Sequence, residues 1–205
     1  MLLRYPPEVL ILLVPVLVFA LCFHEFAHAW MANKLGDPTA KDSGRLTLNP
    51  LAHLDPIGSL MLLFMGFGYA KPVPVDVRYL KNPRIDMMKV SFAGPAANLL
   101  LAFVGGTIIR AHIVGGAIGD TLLIFTIINI RLAMFNMIPI PPLDGSHIFS
   151  GLMVGKKPDL VMKLQMYGPQ ILFGLILIGY LTNFNPISWV MSPFVNFFMF
   201  LFAGR

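Results

Sequence analysis

The residues best suited to chemistry are His24, Glu25 and His28, which form an HExxH pattern inside a long apolar run. Residues four apart in an α-helix lie on nearly the same face, so both imidazoles can reach one metal ion. In such an arrangement the histidines bind zinc, and Glu25 takes a proton from a water molecule that attacks a carbonyl. Ionisable groups are costly within an apolar span, which favours a functional role. The pattern therefore predicts a zinc hydrolase.

The amino-acid composition is that of a membrane protein, so membrane-spanning elements must position these residues. The chain has 205 residues, of which 57% are hydrophobic and 12% charged, and its mean hydropathy is +0.75. Apolar runs at 8–33, 86–109, 117–138, 160–182 and 187–203 predict membrane spans. The basic residues lie mostly between these runs, so we interpret the net charge of +5 as a topology signal. No stripe of basic and aromatic residues predicts a nucleic-acid partner.

The connection between the first two spans predicts two smaller elements. The apolar stretch 57–67 is too short to span a bilayer, so we expect a re-entrant or interfacial segment. Residues 66–77 read GFGYAKPVPVDV, and the alternating valines predict a strand. Two prolines there cannot donate to a sheet, which indicates an edge strand or hairpin. The predicted fold is an all-α polytopic membrane protein with about five transmembrane helices, a re-entrant segment and a small β-hairpin.

Basic residues predict which side of the membrane holds the site. The connections 34–89 and 139–163 are rich in lysine and arginine, whereas Arg4 and Arg110 are the basic residues predicted on the other side. Positively charged connections usually stay in the cytoplasm. We therefore expect a multi-pass protein of the cell membrane with its active site toward the cytoplasm.

A catalytic zinc ion normally has three protein ligands, and HExxH supplies two of them. Glu8 and Glu25 are the only glutamates, and the extended motif HExxHxxGxxH is absent, so an aspartate or a distant histidine must complete the site. Asp144 is the leading candidate, because it follows a proline-rich turn at the end of the third span. His147 and His53 remain alternatives.

The chain resembles the site-2 protease family, the intramembrane zinc metalloproteases. The resemblance depends on HEFAH at 24–28, GFG at 66–68, GPAAN at 94–98 and NMIPIPPLDG at 136–145, in that order along the chain. It implies one Zn²⁺ ion per chain, bound by His24, His28 and Asp144, with Glu25 as the general base. It also implies that Asn98 and Asn136 act near the substrate.

The implied activity is hydrolysis of peptide bonds in or near transmembrane segments of membrane-protein substrates, as in regulated intramembrane proteolysis. A transmembrane helix must be extended before water can attack it, and we hypothesise that the strand containing Gly66 and Gly68 pairs with the extended segment. A zinc transporter or zinc sensor is the alternative. The substrate and the oligomeric state stay open.

The domain organisation is predicted to be simple. We expect a single membrane-embedded domain over 1–205, with the core motifs in 8–153 and additional transmembrane helices in 160–203. No stretch is long and polar enough to predict a regulatory PDZ or CBS domain.

Overall fold

The computed structural model describes residues 6–65 and 68–205, and these residues form a bundle of helices. The helices are α1 (Pro7–Lys34), α2 (Thr39–Asp42), α3 (Pro50–His53), α4 (Pro56–Met65), α5 (Pro83–Arg110), α6 (Gly116–Asn136), α7 (Asp144–Met153), α8 (Pro158–Leu181) and α9 (Pro186–Ala203).

Five of these helices, α1, α5, α6, α8 and α9, are long and apolar enough to cross a membrane. Their bounds agree with the predicted spans to within about three residues, and the multi-pass architecture is confirmed. Four of the five begin with proline, whose missing N–H costs nothing in the first helical turn. Pro95 lies inside α5 without ending it.

α5 is the central helix, and it packs against α1, α6, α7 and α9. Small residues permit these close contacts: a Cβ atom at Gly105 would lie 2.6 Å from Thr126 Oγ1 on α6, and one at Gly106 would lie 2.6 Å from Phe202 Cβ on α9. A buried apolar cluster that includes Ala102 and Ile130 fills the space between α5, α6 and α9. α8 packs against α9 and α7 at one side of the bundle.

The predicted β-hairpin is not confirmed. Within residues 6–65 and 68–205 the backbone pairing outside helices is limited to one isolated antiparallel bridge, between Leu54 and Ala70. Residues 71–76 belong to no helix or strand, and Pro72 and Pro74 have no N–H to donate to a ladder. The predicted re-entrant segment corresponds to α4, a ten-residue helix that is too short to span.

Candidate active site

His24 and His28 lie one helical turn apart in the second half of α1. Their ring centroids are 4.6 Å apart, and both side chains are buried. α1 is uninterrupted through the HEFAH sequence. The helix therefore presents both imidazoles on one face, as their spacing predicts.

Asp144 is the first residue of α7, and it follows the proline-rich turn after α6. Its Oδ2 lies 3.0 Å from His24 Nε2 and 3.3 Å from His28 Nε2. A side chain at the next residue, Gly145, would collide with the Met137 carbonyl, so the turn can bring Asp144 into place only with glycine there. The structure thus brings His24, His28 and Asp144 together, with one donor atom of each within 4.8 Å of the others.

The two alternative third ligands occupy different places. His147 lies one helical turn beyond Asp144, and it lines a cavity that adjoins His24, His28 and Asp144. His53 is fully buried in α3, where its Nε2 donates to the Thr47 carbonyl oxygen at 2.8 Å. It is not part of the cluster formed by His24, His28 and Asp144.

The hydrogen bonds behind His24 determine which of its nitrogens carries the proton. Asn98 Nδ2 donates to the Ala20 carbonyl and to Asn129 Oδ1, both at 3.0 Å, so Asn98 Oδ1 must face His24. His24 Nδ1 lies 2.6 Å from that oxygen and therefore donates to it. In the neutral ring the Nε2 lone pair then points at Asp144.

His28 is oriented in the same way. Its Nδ1 lies 2.8 Å from the Val90 carbonyl oxygen on α5, which can only accept. Both rings consequently direct electron pairs from Nε2 toward a carboxylate oxygen, an arrangement that is repulsive without a cation or a proton between them. Two imidazoles anchored through Nδ1 and one carboxylate are a donor set that suits zinc, so the residues present fit this ion.

Gly94 on α5 leaves room at the point where these donor atoms converge. A Cβ atom there would lie 2.5 Å from His28 Nε2 and 2.7 Å from His24 Cε1. The contact of this glycine with both imidazoles emerges only from the structure. The roles of Asn129 and of the Val90 carbonyl were not predicted either, because an asparagine or a backbone oxygen carries no sequence signal for its partner.

A cavity of about 480 Å³ adjoins the cluster. Glu25, Asn136 and Gly68 line it, together with apolar residues that include Val73 and Phe135. Asn98 is fully buried and contacts His24 instead of lining the cavity. Gly66 lies outside the described residues.

Asp144, at the start of α7, carries a negative charge. Burial raises the pKa of Asp144, but its contacts with His24 and His28 outweigh that effect and hold the pKa well below its usual range. The carboxylate is therefore ionised at neutral pH, as a metal ligand must be. Burial lowers the pKa of His147, although the charge of Asp144 partly opposes this, so its imidazole is neutral at the same pH.

Comparisons with known proteins bear on the family of this chain. The model of peptidase family M50 matches residues 107–178. "Putative zinc metalloprotease YwhC" of Bacillus subtilis is 38% identical over 212 residues, covering 99% of this chain and 91% of the relative. The protein named Rip2 of Mycolicibacterium smegmatis, which carries the same description, is 36% identical over 67% of this chain and 55% of its own length.

A similarly described protein of Methanocaldococcus jannaschii is 30% identical over 62% of each chain. No solved structure matches the chain. The relative from Bacillus subtilis matches nearly the whole of both proteins, so the likeness extends over all the helices. The chain belongs to peptidase family M50, the site-2 protease family, and is a multi-pass membrane metalloprotease.

Proposed function

We propose that the protein hydrolyses peptide bonds in or beside the transmembrane segments of other membrane proteins, using one zinc ion per chain bound by His24, His28 and Asp144. The observation that carries this proposal is the convergence of His24 Nε2, His28 Nε2 and Asp144 Oδ2 beside Glu25, within a cavity set among membrane-spanning helices. A protease acting there reaches substrates that water-soluble proteases do not.

In the proposed reaction Glu25 acts as the general base. His24, His28 and Asp144 would hold the zinc ion, which would supply polarisation of the scissile carbonyl and acidification of water. Glu25 accepts a proton from the attacking water as the water oxygen bonds to the carbonyl carbon. When the carbon–nitrogen bond breaks, Glu25 returns that proton to the departing amine nitrogen. Asn98 keeps His24 in the required tautomer throughout, so we propose that it supports the metal site as well as acting near the substrate.

The lining of the cavity supports binding of an extended substrate. Residues 71–76 belong to no helix or strand, and Asp76 at their end has extended dihedral angles. Neither Val73 N–H nor Val75 N–H has a hydrogen-bond acceptor within the described residues. These donors can pair with a substrate segment by β-addition. Gly68 lines the cavity three residues before this segment. The Asn136 amide can bind a substrate carbonyl after releasing its 2.9 Å bond to the Leu132 carbonyl.

Proline substitution tests this pairing. Val73→Pro removes one backbone donor from segment 71–76 without changing a metal ligand. We expect retained zinc and a marked loss of cleavage of a membrane substrate. Cleavage at the wild-type rate would show that this segment does not pair with the substrate.

We further propose that the site opens toward the cytoplasm and that α4 is re-entrant or interfacial. Apolar residues on α4 are exposed, including Ile57 (63%), Leu60 (54%) and Phe64 (57%), which suits contact with lipid. Basic residues of the connection that contains α4 favour the cytoplasmic side. Residues 1–205 would then act as one membrane-embedded domain. Accessibility of single cysteines at Lys41 and His112 to an impermeant thiol reagent in sealed vesicles tests the orientation.

The first experiment measures zinc in protein purified in detergent. We expect about one zinc ion per chain in wild type and in Glu25→Gln, and a strong loss in His28→Ala and Asp144→Asn. Asp144→Asn nearly preserves the shape of the side chain, so its loss of zinc would report on the charge. Equal zinc content in wild type and Asp144→Asn would exclude Asp144 as a ligand.

The second experiment identifies substrates. Cells expressing wild type or Glu25→Gln are compared by mass spectrometry of membrane-protein fragments, and we expect cleaved transmembrane segments with wild type alone. Family membership favours this activity over a zinc transporter or sensor. Transport would appear instead as zinc uptake into proteoliposomes that Glu25→Gln retains.

A further inference from the structure

The segment 71–76 lines the cavity without a neighbouring strand to hold it. Pro72, Val73 and Val75 face the cavity, and the backbone pairing near them is the isolated bridge at Ala70. A segment with two prolines and no partner strand has no ladder to fix its position. Its two ends, however, are both bonded to buried groups from the chain that follows α1.

Asp37 fixes the end at Asp76. The Asp76 N–H donates to Asp37 Oδ2 at 2.8 Å, and the Asp37 side chain is fully buried. Asp37 Oδ1 accepts from the Thr39 N–H at 3.0 Å and from the Thr39 hydroxyl at 2.5 Å. The carboxylate thus joins the end of segment 71–76 to the start of α2.

Asp37 is itself tied to the helix that carries the histidines. Its N–H donates to the Ala32 carbonyl at 3.0 Å, and the Gly36 N–H donates to the Asn33 carbonyl at 3.2 Å. Gly36 has φ +106°, which completes a Schellman motif at the end of α1 and turns Asp37 toward the segment. The position of Asp76 is therefore set relative to α1.

Arg45 and His53 fix the other end, at Lys71. The Lys71 N–H donates to the His53 carbonyl at 2.8 Å, and the Lys71 carbonyl accepts from Arg45 Nη2. Arg45 is buried, and its backbone N–H donates to the Ala40 carbonyl at 2.8 Å. A buried guanidinium that bonds a carbonyl of this segment is a strong restraint on its position.

We propose that Asp37 and Arg45 are positioning residues for substrate: they hold residues 71–76 extended beside the metal ligands, so that a substrate segment pairs with a backbone that is already ordered. This inference rests on the β-addition proposed above. Ordering the segment in advance removes a cost that each substrate would otherwise meet on binding. Loss of either residue therefore weakens substrate binding more than it slows the chemical step.

Asp37→Asn is the sharpest test, because it keeps the shape of the side chain. In one orientation of the new amide its NH₂ group faces the Asp76 N–H, and in the other it faces the Thr39 N–H. Either way, one hydrogen bond from a backbone N–H is lost. Thr39→Val is the matched control, since it removes one hydroxyl bond to Asp37 and leaves the Asp76 bond intact. Asp42 is an exposed carboxylate at the end of α2, and Asp42→Asn controls for the change of charge.

The variants are compared in zinc content, in amide hydrogen exchange of residues 69–76, and in KM and kcat for a single-span membrane protein that wild type cleaves and Glu25→Gln does not. For Asp37→Asn we expect wild-type zinc, exchange in 71–76 faster by tenfold or more, and a KM raised about tenfold with kcat changed less than twofold. Arg45→Lys should shift KM in the same direction. The two controls should stay near wild type.

The outcomes separate this inference from the proposed function. Unchanged exchange, or an unchanged KM with faster exchange, overturns the positioning role while the protease function stands. Loss of zinc in Asp37→Asn shows a general structural role and also overturns it. Absence of any cleavage by zinc-loaded wild type removes the proposed function, and this inference with it.

Discussion

Gly94→Ala should abolish zinc binding although it removes no polar atom. The new Cβ would lie 2.5 Å from His28 Nε2, 2.6 Å from His28 Cε1 and 2.7 Å from His24 Cε1. Carbon atoms in contact normally lie about 3.5–4.0 Å apart, so the imidazoles or α5 must move by about 1 Å. A metal site tolerates displacements of only about 0.5 Å, and a misplacement of about 1 Å can lower a rate by about 10²-fold.

The effect on folding should be much smaller than the effect on the site. Overpacking costs about 1–3 kcal/mol, while replacing glycine by alanine within a helix returns about 1 kcal/mol. Gly94→Ala should therefore purify as a folded protein with a modestly lowered unfolding midpoint. We expect little zinc in it, and cleavage reduced by about 10²-fold or more.

Gly174→Ala is the matched control. Gly174 also lies within a long helix, α8, but a Cβ atom there would meet nothing within 4 Å. This variant should keep its zinc and its activity, with equal or slightly higher stability. Full zinc content and wild-type cleavage in Gly94→Ala would refute the argument that the glycine makes room for the ligands.

Three further predictions concern the surroundings of the site. Asn129→Leu should weaken zinc binding by about 10–100-fold in chelator competition, because Asn98 then loses the acceptor that orients its amide toward His24. Unchanged zinc affinity would show that Asn129 does not control the His24 tautomer. Removing the metal from wild type with a chelator should lower the thermal unfolding midpoint. Zinc at 1,000 times its Kd stabilises the folded state by about 4 kcal/mol, and this stabilisation is what the chelator removes. The unfolding midpoint of Asp144→Asn should change little with the same chelator. Gly168→Val should reduce zinc retention by displacing Pro141, which a Cβ atom at 168 would approach to 2.5 Å; Gly174→Val is its control, and equal retention in both would show that the turn before Asp144 does not depend on α8.

The spanning helices could be predicted closely because hydropathy and length decide them together. The apolar runs are long, and prolines at the first helical position mark where α1, α5, α8 and α9 begin. The grouping of His24 with His28 likewise follows from local helix geometry. These features depend on residues that are close together in the sequence, so they can be predicted from the sequence alone.

Features that depend on distant partners were predicted less well. Alternating valines indicated a hairpin, but a strand needs a partner, and Pro72 and Pro74 remove the donors that would attract one. The resemblance implies a role near the substrate for Asn98, and the structure adds two acceptors for its NH₂ group, at Ala20 and Asn129. Nothing local to Asn98 predicts either contact.

The ligands of the proposed metal site come from positions 24, 28 and 144, which lie in α1 and α7. A ribosome therefore completes α1, α5 and α6 before it adds the aspartate. Until that residue emerges, the growing chain holds two of the three proposed ligands, His24 and His28. The order of synthesis thus delays a complete metal site until most of the bundle has entered the membrane, and a truncated chain ending before α7 would be inactive.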